Sequence, residues 1–223
     1  ADLAGERLLI VKLSSLGDLF HALPAAHLLK GAGAELDWVT RTAYRPLVRC
    51  FTDVDRVIAF PRRRWLRGSP RFLRELRLRR YDRVIDLQGL LKSALVARLA
   101  RAGECLGPAR AREGAGLFYD RRPEAQGPHA VDRALAVARL LTGDRTPAAF
   151  PFQPPRFEVQ APHPRIALLP CSRWPSKNWP PERFAETARA LEESLQASLF
   201  VVGAPGDRDA ARAAARETPS AHN

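Results

Sequence analysis

The chain has 223 residues, 46% of them hydrophobic, and a formal net charge of +12 at pH 7. This length holds one large domain, or one domain and part of a second, and the composition excludes collagen-like and disordered chains. No apolar run approaches the ~20 residues that cross a bilayer. Three widely spaced cysteines, Cys50, Cys105 and Cys171, argue against a disulfide framework or a zinc cluster and predict a protein of the reducing cytosol.

The positive charge is almost entirely arginine, because only four of the 36 basic residues are lysines. An excess of arginine together with alanine is typical of a GC-rich genome, which raises the isoelectric point without functional meaning. Charge by itself therefore does not indicate a nucleic-acid partner, and we expect none.

Apolar runs and helical spacing alternate along the chain. In chain order the predicted elements are strand 7–13, helix 19–30, strand 35–40, helix 44–51, strand 54–60, helix 69–80, strand 83–87, helix 90–102, strand 104–107, helix 129–141, strand 165–169, helix 181–195, strand 198–202 and helix 207–216. Strands that alternate with helices predict a doubly wound parallel sheet.

A proline-rich segment over residues 146–164 divides this pattern. We therefore predict a complete α/β domain over residues 1–145, a linker over 146–164 and a second α/β domain that begins at residue 165. Two strands and two helices cannot cover both faces of a parallel sheet, so we expect residues 165–223 to form only the start of that domain.

Polar residues follow the first strand in the turn Ser14-Ser15-Leu16-Gly17-Asp18. Ligands of open parallel sheets bind beyond the carboxyl ends of the strands, where helix N-termini expose N–H groups. The turn is neither a P-loop nor a dinucleotide fingerprint. Two interpretations of Asp18 stay open: a helix cap, or a general base that accepts a proton from a hydroxyl group.

Three further segments carry candidate chemistry. The turn at residues 86–93, DLQGLLKS, holds Gln88 and a glycine that allows close approach of a ligand, although it is equally typical of a plain βα turn. The basic segment 62–67, RRRWLR, is either a solvated face or a site for phosphates and carboxylates, and its Trp65 and Leu66 suit a membrane surface. Lys177, just before a predicted helix, suits a diphosphate, whereas Cys171 has no partner by spacing.

Four blocks of this chain resemble one family. They are KLSSLGDLFHALPA at 12–25, VIDLQGLLKSAL at 84–95, LFYDRR at 117–122 and SRWPSKNWP at 172–180. They are similar to the ADP-heptose:lipopolysaccharide heptosyltransferases of glycosyltransferase family 9, and most similar to its type I branch. The resemblance implies a GT-B fold with two Rossmann-like domains, the first for the acceptor and the second for the nucleotide sugar.

The implied reaction moves L-glycero-D-manno-heptose from ADP-heptose to Kdo of Kdo2-lipid A, with inversion and without a metal or other cofactor. The resemblance makes Asp18 the catalytic base. It places Gly17, Cys171, Ser172 and Lys177 at the donor, although cysteine at 171 departs from the small hydroxyl residues of the family. It implies an acceptor site formed by Lys12, Ser14, Ser15, Arg63, Arg64, Gln88 and Arg112. The implied location is cytoplasmic, at the surface of the inner membrane.

The family continues to an Asp-Thr-Gly-x-x-His segment that binds the ADP-sugar, and this sequence has none. We therefore expect these residues to be inactive by themselves. The alternative interpretation is a truncated, non-catalytic module that binds the acceptor or a membrane surface.

Overall fold

The computed structural model describes residues 2–61, 70–124, 127–172 and 175–203, together with Asp209 and Arg212. The chain divides into two compact units, Ala1–Pro155 and Arg156–Asn223. The division falls inside the segment 146–164. The part of that segment before the division belongs to the first unit, because Phe152 forms an antiparallel bridge with Phe51 and packs against Phe20.

The first unit contains five strands and five helices in its described part. The strands are β1 Arg7–Val11, β2 Glu35–Arg41, β3 Arg56–Phe60, β4 Tyr81–Asp86 and β5 Ala102–Leu106. The helices are α1 Leu16–Gly31, α2 Arg45–Val48, α3 Pro70–Arg77, α4 Leu91–Leu99 and α5 Ala130–Thr142, with 3₁₀ turns at Thr42–Tyr44 and Ala115–Phe118.

The five strands form one parallel sheet in the order β3-β2-β1-β4-β5. Successive side chains of a strand face opposite sides of the sheet, so a strand covered on both sides must be apolar throughout. In β1, Leu8 and Ile10 join the core under α1 and α5, whereas Leu9 and Val11 join the core under α3 and α4. The continuous run RLLIV therefore reflects a central strand.

The strand order reverses between β1 and β4, because the chain adds β2 and β3 on one side of β1 and then β4 and β5 on the other. In open parallel sheets this reversal opens a crevice beyond the carboxyl ends of the two central strands. The turns that follow β1 and β4 both meet at this crevice.

The second unit contains the parallel strands β6 Arg165–Leu168 and β7 Ser198–Val201, which pair with each other, and helix α6 Pro181–Leu195. A 3₁₀ turn over Pro175–Lys177 precedes α6. Ala188, Ala197 and Leu199 form its small core.

The structure corrects several predicted bounds. The helix predicted at 69–80 ends at Arg77, because the chain turns there into β4, whose first residue is Tyr81. Arg77 donates to the carbonyl of Leu99 (3.0 Å), and Arg79 lies 3.4 Å from the Asp37 carboxylate, so both side chains bind to neighbouring elements at this edge.

The helix predicted at 44–51 is a 3₁₀ turn followed by the single α-turn Arg45–Val48. The helix predicted at 90–102 ends at Leu99, since Arg101 adopts a positive φ of 50° and Ala102 already pairs with Tyr81 in the sheet. The helix predicted at 207–216 lies outside the described residues, apart from Asp209 and Arg212.

Candidate active site

A cleft of about 730 Å³ lies at the carboxyl ends of β1 and β4, within the first unit. Its lining comes from the two turns after these strands, from the loop after β5 and from α5. The lining residues are Lys12, Asp18, His21, Ala22, Leu87, Gln88, Gly89, Pro108, Arg110, Arg112, Gly127, Pro128, Ala130, Arg133, Ala134 and Val137. Asp18 is the single carboxylate among these described lining residues.

Asp18 occupies the first turn of α1 and faces the cleft with 45% of its side chain exposed. One oxygen, Oδ2, accepts hydrogen bonds from the backbone N–H (2.9 Å) and the hydroxyl (2.8 Å) of Ser15. This arrangement is half of a capping box, in which a side chain at the third helical position binds the N-cap residue. The two interpretations of Asp18 are therefore compatible, because Oδ2 caps the helix while Oδ1 is not used by Ser15.

The environment keeps the Asp18 carboxyl ionised. Burial alone would raise its pKa, but the two hydrogen bonds from Ser15 and the charges of Lys12 and His21 outweigh burial and hold the pKa below its ordinary value. A carboxylate that is ionised at neutral pH can accept a proton, and the cations nearby stabilise its charge.

Lys12 and Gln88 join the two turns at the base of the cleft. The Lys12 ammonium donates to the carbonyl of Leu87 (2.9 Å), and the Gln88 Oε1 accepts from the backbone N–H groups of Leu13 (3.1 Å) and Ser14 (3.2 Å). Burial lowers the pKa of Lys12, while the charge of Asp18 opposes that shift. Each turn thus positions the other.

Asp86, at the end of β4, is completely buried and has a structural role. Its carboxylate accepts from the Tyr119 hydroxyl (2.7 Å) and from the backbone N–H groups of Gln88 (2.8 Å) and Gly89 (3.2 Å). Burial raises its pKa despite these bonds. Gly89 has a φ of +70°, and a Cβ there would lie 2.7 Å from Pro108, so this turn requires glycine.

Three arginines and Lys12 make the cleft strongly cationic. Arg110 and Arg112 lie on the loop after β5, and the Arg112 N–H donates to the carbonyl of Gly89 (2.9 Å), which fixes the loop beside the β4 turn. Arg133 comes from the first turns of α5, which packs along α1. Such a group of cations suits a ligand that carries carboxylates or phosphates.

Sequence analysis did not identify Arg110, Arg133 or His21. His21 Nδ1 lies 3.9 Å from Asp18 Oδ1, and the His21 ring makes an edge contact with His129 at 5.5 Å between centroids. The only available signal was spacing, since His21 and Asp18 share a helix face at i, i+3. Nothing in the sequence indicates that α5 brings Arg133 to the same cleft.

The predicted acceptor residues divide into three groups. Lys12, Gln88 and Arg112 line the cleft, whereas Ser14 and Ser15 act through hydrogen bonds to Gln88 and Asp18. Arg63 and Arg64 lie outside the described residues. Gly17 is exposed on the first turn of α1, and a Cβ there would meet open space.

The predicted donor residues of the second unit lie on the loop between β6 and α6. The Ser172 N–H donates to the Asn178 side-chain oxygen (2.7 Å), and this bond closes the loop. Lys177 is exposed on the 3₁₀ turn, and Cys171 is half-buried.

In the ranges 2–61, 70–124, 127–172 and 175–203, no three His, Cys, Asp or Glu side chains are grouped so as to hold a metal ion. Among the helices of these same ranges, none is both long and apolar enough to span a bilayer.

The fold and the cleft together define a Rossmann-like α/β protein with an ionised carboxylate, Asp18, in a cationic cleft. The sequence model of one protein family, glycosyltransferase family 9 (heptosyltransferase), matches residues 70–221 of this chain. The chain therefore belongs to this family.

Curated relatives support the same assignment. The chain is 33% identical to lipopolysaccharide heptosyltransferase 1 of Pseudomonas aeruginosa, over 92% of this chain and 63% of the relative. It is equally similar to the protein of the same name from Escherichia coli K12, over 92% of this chain and 71% of the relative. The chain thus spans about two thirds of the length of these proteins.

Solved structures confirm the predicted GT-B type of fold. E. coli heptosyltransferase WaaC with ADP has a TM-score of 0.78 and 29% identity, and the match covers 97% of this chain and 73% of WaaC. A glycosyltransferase family 9 structure from Veillonella parvula has a TM-score of 0.83 over 99% of this chain and 68% of that one. Its identity is 19%, so it supports the fold alone.

Proposed function

We propose that the protein is an inverting heptosyltransferase of lipopolysaccharide inner-core synthesis, which transfers L-glycero-D-manno-heptose from ADP-heptose to Kdo of Kdo2-lipid A. The observation that carries this proposal is the cleft at the β1–β4 reversal, where Asp18 stands among Lys12, Arg110, Arg112 and Arg133. Relatives named lipopolysaccharide heptosyltransferase 1, and the WaaC structures with ADP and with ADP-2-deoxy-2-fluoro heptose, support the donor.

In the proposed step, the Kdo hydroxyl oxygen attacks the anomeric carbon of heptose from the face opposite ADP. Asp18 Oδ1 accepts the hydroxyl proton as the new C–O bond forms, while Ser15 holds Oδ2. The bond between the anomeric carbon and the diphosphate oxygen breaks, and ADP leaves with the electron pair. Lys177 stabilises the negative charge on the departing diphosphate, together with Gly17, Cys171 and Ser172, so that the step needs no metal.

The acceptor is anionic, since Kdo has a carboxylate and lipid A has phosphates. We assign its binding to Lys12, Gln88 and Arg112 of the cleft, with Ser14 and Ser15 as positioning residues and Arg63 and Arg64 as additional cations. Residues 1–145 then form the acceptor domain, residues 146–164 the linker, and residues 165–223 part of the nucleotide-sugar domain. The proposed location is the cytoplasmic surface of the inner membrane.

This proposal includes no nucleic-acid partner. Several arginines of the first unit are paired with carboxylates, as in Arg7–Glu35, Arg83–Glu104 and Arg98–Asp120. The cations of the cleft line a concave site rather than a broad surface stripe, which is the more usual footprint of a nucleic-acid interface.

The test measures heptose transfer to Kdo2-lipid A by mass spectrometry. Because the chain spans about two thirds of its relatives, the assay uses both the 223-residue chain and a hybrid that continues into the C-terminal third of the P. aeruginosa relative. In the hybrid, Asp18→Ala should lower the transfer rate by at least about 100-fold, the contribution typical of a general base, and leave ADP-heptose affinity nearly unchanged.

Asp132→Ala is the matched control, since Asp132 occupies the first turn of α5 but does not line the cleft. It should leave the rate unchanged. Comparable rates in the Asp18 variant and the unmodified hybrid would remove Asp18 from the mechanism.

A second candidate function is acceptor binding without transfer by the 223-residue chain. The location of the whole cleft within the first unit favours it, because acceptor binding then needs no residue of the second unit. Calorimetry should detect binding of Kdo2-lipid A with no turnover and no affinity for ADP. Tight ADP binding by this chain would contradict a non-catalytic acceptor-binding module and would favour a functional donor site.

A further inference from the structure

We propose that the loop after β5, together with the start of α4, forms a surface that contacts an anionic phospholipid bilayer. Leu117 and Leu91 enter the bilayer interface, and Arg110 and Arg112 contact the lipid phosphates. This inference rests on the proposed function in one respect, because an acceptor with acyl chains must be reached at a membrane. We call these four residues the lipid-contact surface.

Leu117 is held in solvent by an ordered turn. It is 89% exposed, although the residues around it are anchored: Ala115 is completely buried, and Tyr119 is buried and donates to Asp86 (2.7 Å). The Leu117 N–H donates to the carbonyl of Gly114 (3.2 Å), within the 3₁₀ turn Ala115–Phe118. Leu117 is therefore a large apolar side chain that an ordered turn exposes to solvent.

Leu91 lies beside this turn. It is 37% exposed at the first position of α4, and its N–H donates to the Glu113 carboxylate (3.3 Å). The 3₁₀ turn packs directly on α4. The backbone N–H groups of both exposed leucines therefore donate to adjacent residues of one loop, Leu91 to Glu113 and Leu117 to Gly114.

The charge next to these leucines selects the partner. Arg110 and Arg112 are exposed on the same loop, and the Arg112 N–H donates to the carbonyl of Gly89 (2.9 Å), two residues before Leu91. Apolar side chains flanked by arginines match the interface of an anionic bilayer, which offers acyl chains beneath a layer of phosphates. A protein partner would not require that combination.

The lipid-contact surface is continuous with the cleft. Arg110 and Arg112 line the cleft as well as the loop, so a lipid-linked sugar bound near Asp18 would extend toward Leu117. Attachment there places the cleft at the depth of the lipid headgroups.

The experiment measures binding of the 223-residue chain to vesicles of phosphatidylglycerol and phosphatidylethanolamine by co-sedimentation. These vesicles contain no Kdo and no lipid A. Leu117→Asp should weaken binding about tenfold, because one leucine loses its apolar contact and a negative charge is added. Vesicles of neutral phosphatidylcholine should bind the unmodified chain weakly.

Leu78→Asp is the matched control. Leu78 is also a strongly exposed leucine (66%), but it lies between α3 and β4, outside the loop after β5 and outside α4. It should leave vesicle binding unchanged. Urea unfolding of both variants should match the unmodified chain, since both side chains are exposed.

Equal binding by the Leu117 variant and the unmodified chain would overturn the proposal, as would equal losses in both variants or no vesicle binding at all. A dimer in sedimentation that Leu117→Asp dissociates would also overturn it and assign the surface to a second copy. Calorimetry with deacylated Kdo2-lipid A separates the two proposals. If the chain binds deacylated Kdo2-lipid A but not the vesicles, only the lipid-contact surface is contradicted. If it binds the vesicles but not deacylated Kdo2-lipid A, the proposed acceptor is contradicted.

Discussion

Two aspartates lie at the same edge of the sheet, Asp18 at the start of α1 and Asp86 at the end of β4, and their environments are opposite. Asp18, after β1, is about half exposed in a cationic cleft, and hydrogen bonds hold its pKa below the ordinary value. Asp86, the last residue of β4, is completely buried, and burial raises its pKa. The comparison shows that position at a strand end does not by itself make a carboxylate functional. An oxygen accessible to a ligand is also needed.

The largest expected effect is on the buried member of the pair. Asp86→Ala leaves the Tyr119 hydroxyl and the N–H groups of Gln88 and Gly89 without their acceptor, and should lower the free energy of unfolding by about 3 kcal/mol. Asp18→Ala removes one helix-cap interaction and should cost about 1 kcal/mol. Urea unfolding of both variants measures the difference, and equal losses would contradict the comparison.

Tyr119→Phe tests the same network from the other side. It removes the hydroxyl that donates to Asp86 and should cost about 2 kcal/mol in urea unfolding. Tyr81→Phe is the matched control, because Tyr81 donates to a second buried carboxylate, Asp37, which also has Arg56 and Arg79 within 3.4 Å. Its loss of stability should be smaller, and an equal or larger loss would contradict the stronger dependence of Asp86 on its tyrosine.

Gln88→Ala should sharpen the comparison by separating the two turns. It deprives the N–H groups of Leu13 and Ser14 of their acceptor, and should cost about 1 kcal/mol because this site is only part-buried and water can replace the amide. Because the β1 turn holds Asp18, affinity for Kdo2-lipid A should also fall in calorimetry. Unchanged affinity would show that Gln88 neither contacts nor positions the acceptor.

The smallest expected effect is a pH dependence of opposite sign for the two aspartates. The lowered pKa of Asp18 adds stability above its ordinary value of 3.8, which is lost as the pH falls through the folded-state pKa. The raised pKa of Asp86 contributes stability that is fully present below the ordinary pKa of 3.8. That stability is lost as the pH rises through the raised pKa of the folded state.

Urea unfolding of the unmodified chain, Asp18→Asn and Asp86→Asn between pH 3 and pH 7 measures both signs. The stability advantage of the unmodified chain over the Asp18 variant should shrink toward low pH. The free energy of unfolding of the unmodified chain, minus that of the Asp86 variant, should decrease as the pH rises. The same sign for both variants would contradict the assigned environments.

Much of the fold could be predicted from local sequence. The run RLLIV gave β1 because a strand buried on both faces must be apolar, and Pro181–Leu195 was predicted with its observed bounds. Predictions were wrong at helix ends such as Arg77 and Leu99, where the next strand begins within four residues and pairs with another strand of the sheet.

The amino-acid sequence by itself determined the alternation of strands and helices, the family, and the turn that carries Asp18, because these depend on residues close together in the chain. Only the tertiary structure showed that Asp18 is exposed to a cleft whereas Asp86 is buried, and only it brought Arg110, Arg133 and His21 into that cleft. Burial and electrostatics depend on neighbours in space. The packing of α5 against α1 and of the β5 loop against α4 supplies those neighbours from residues far away in the sequence.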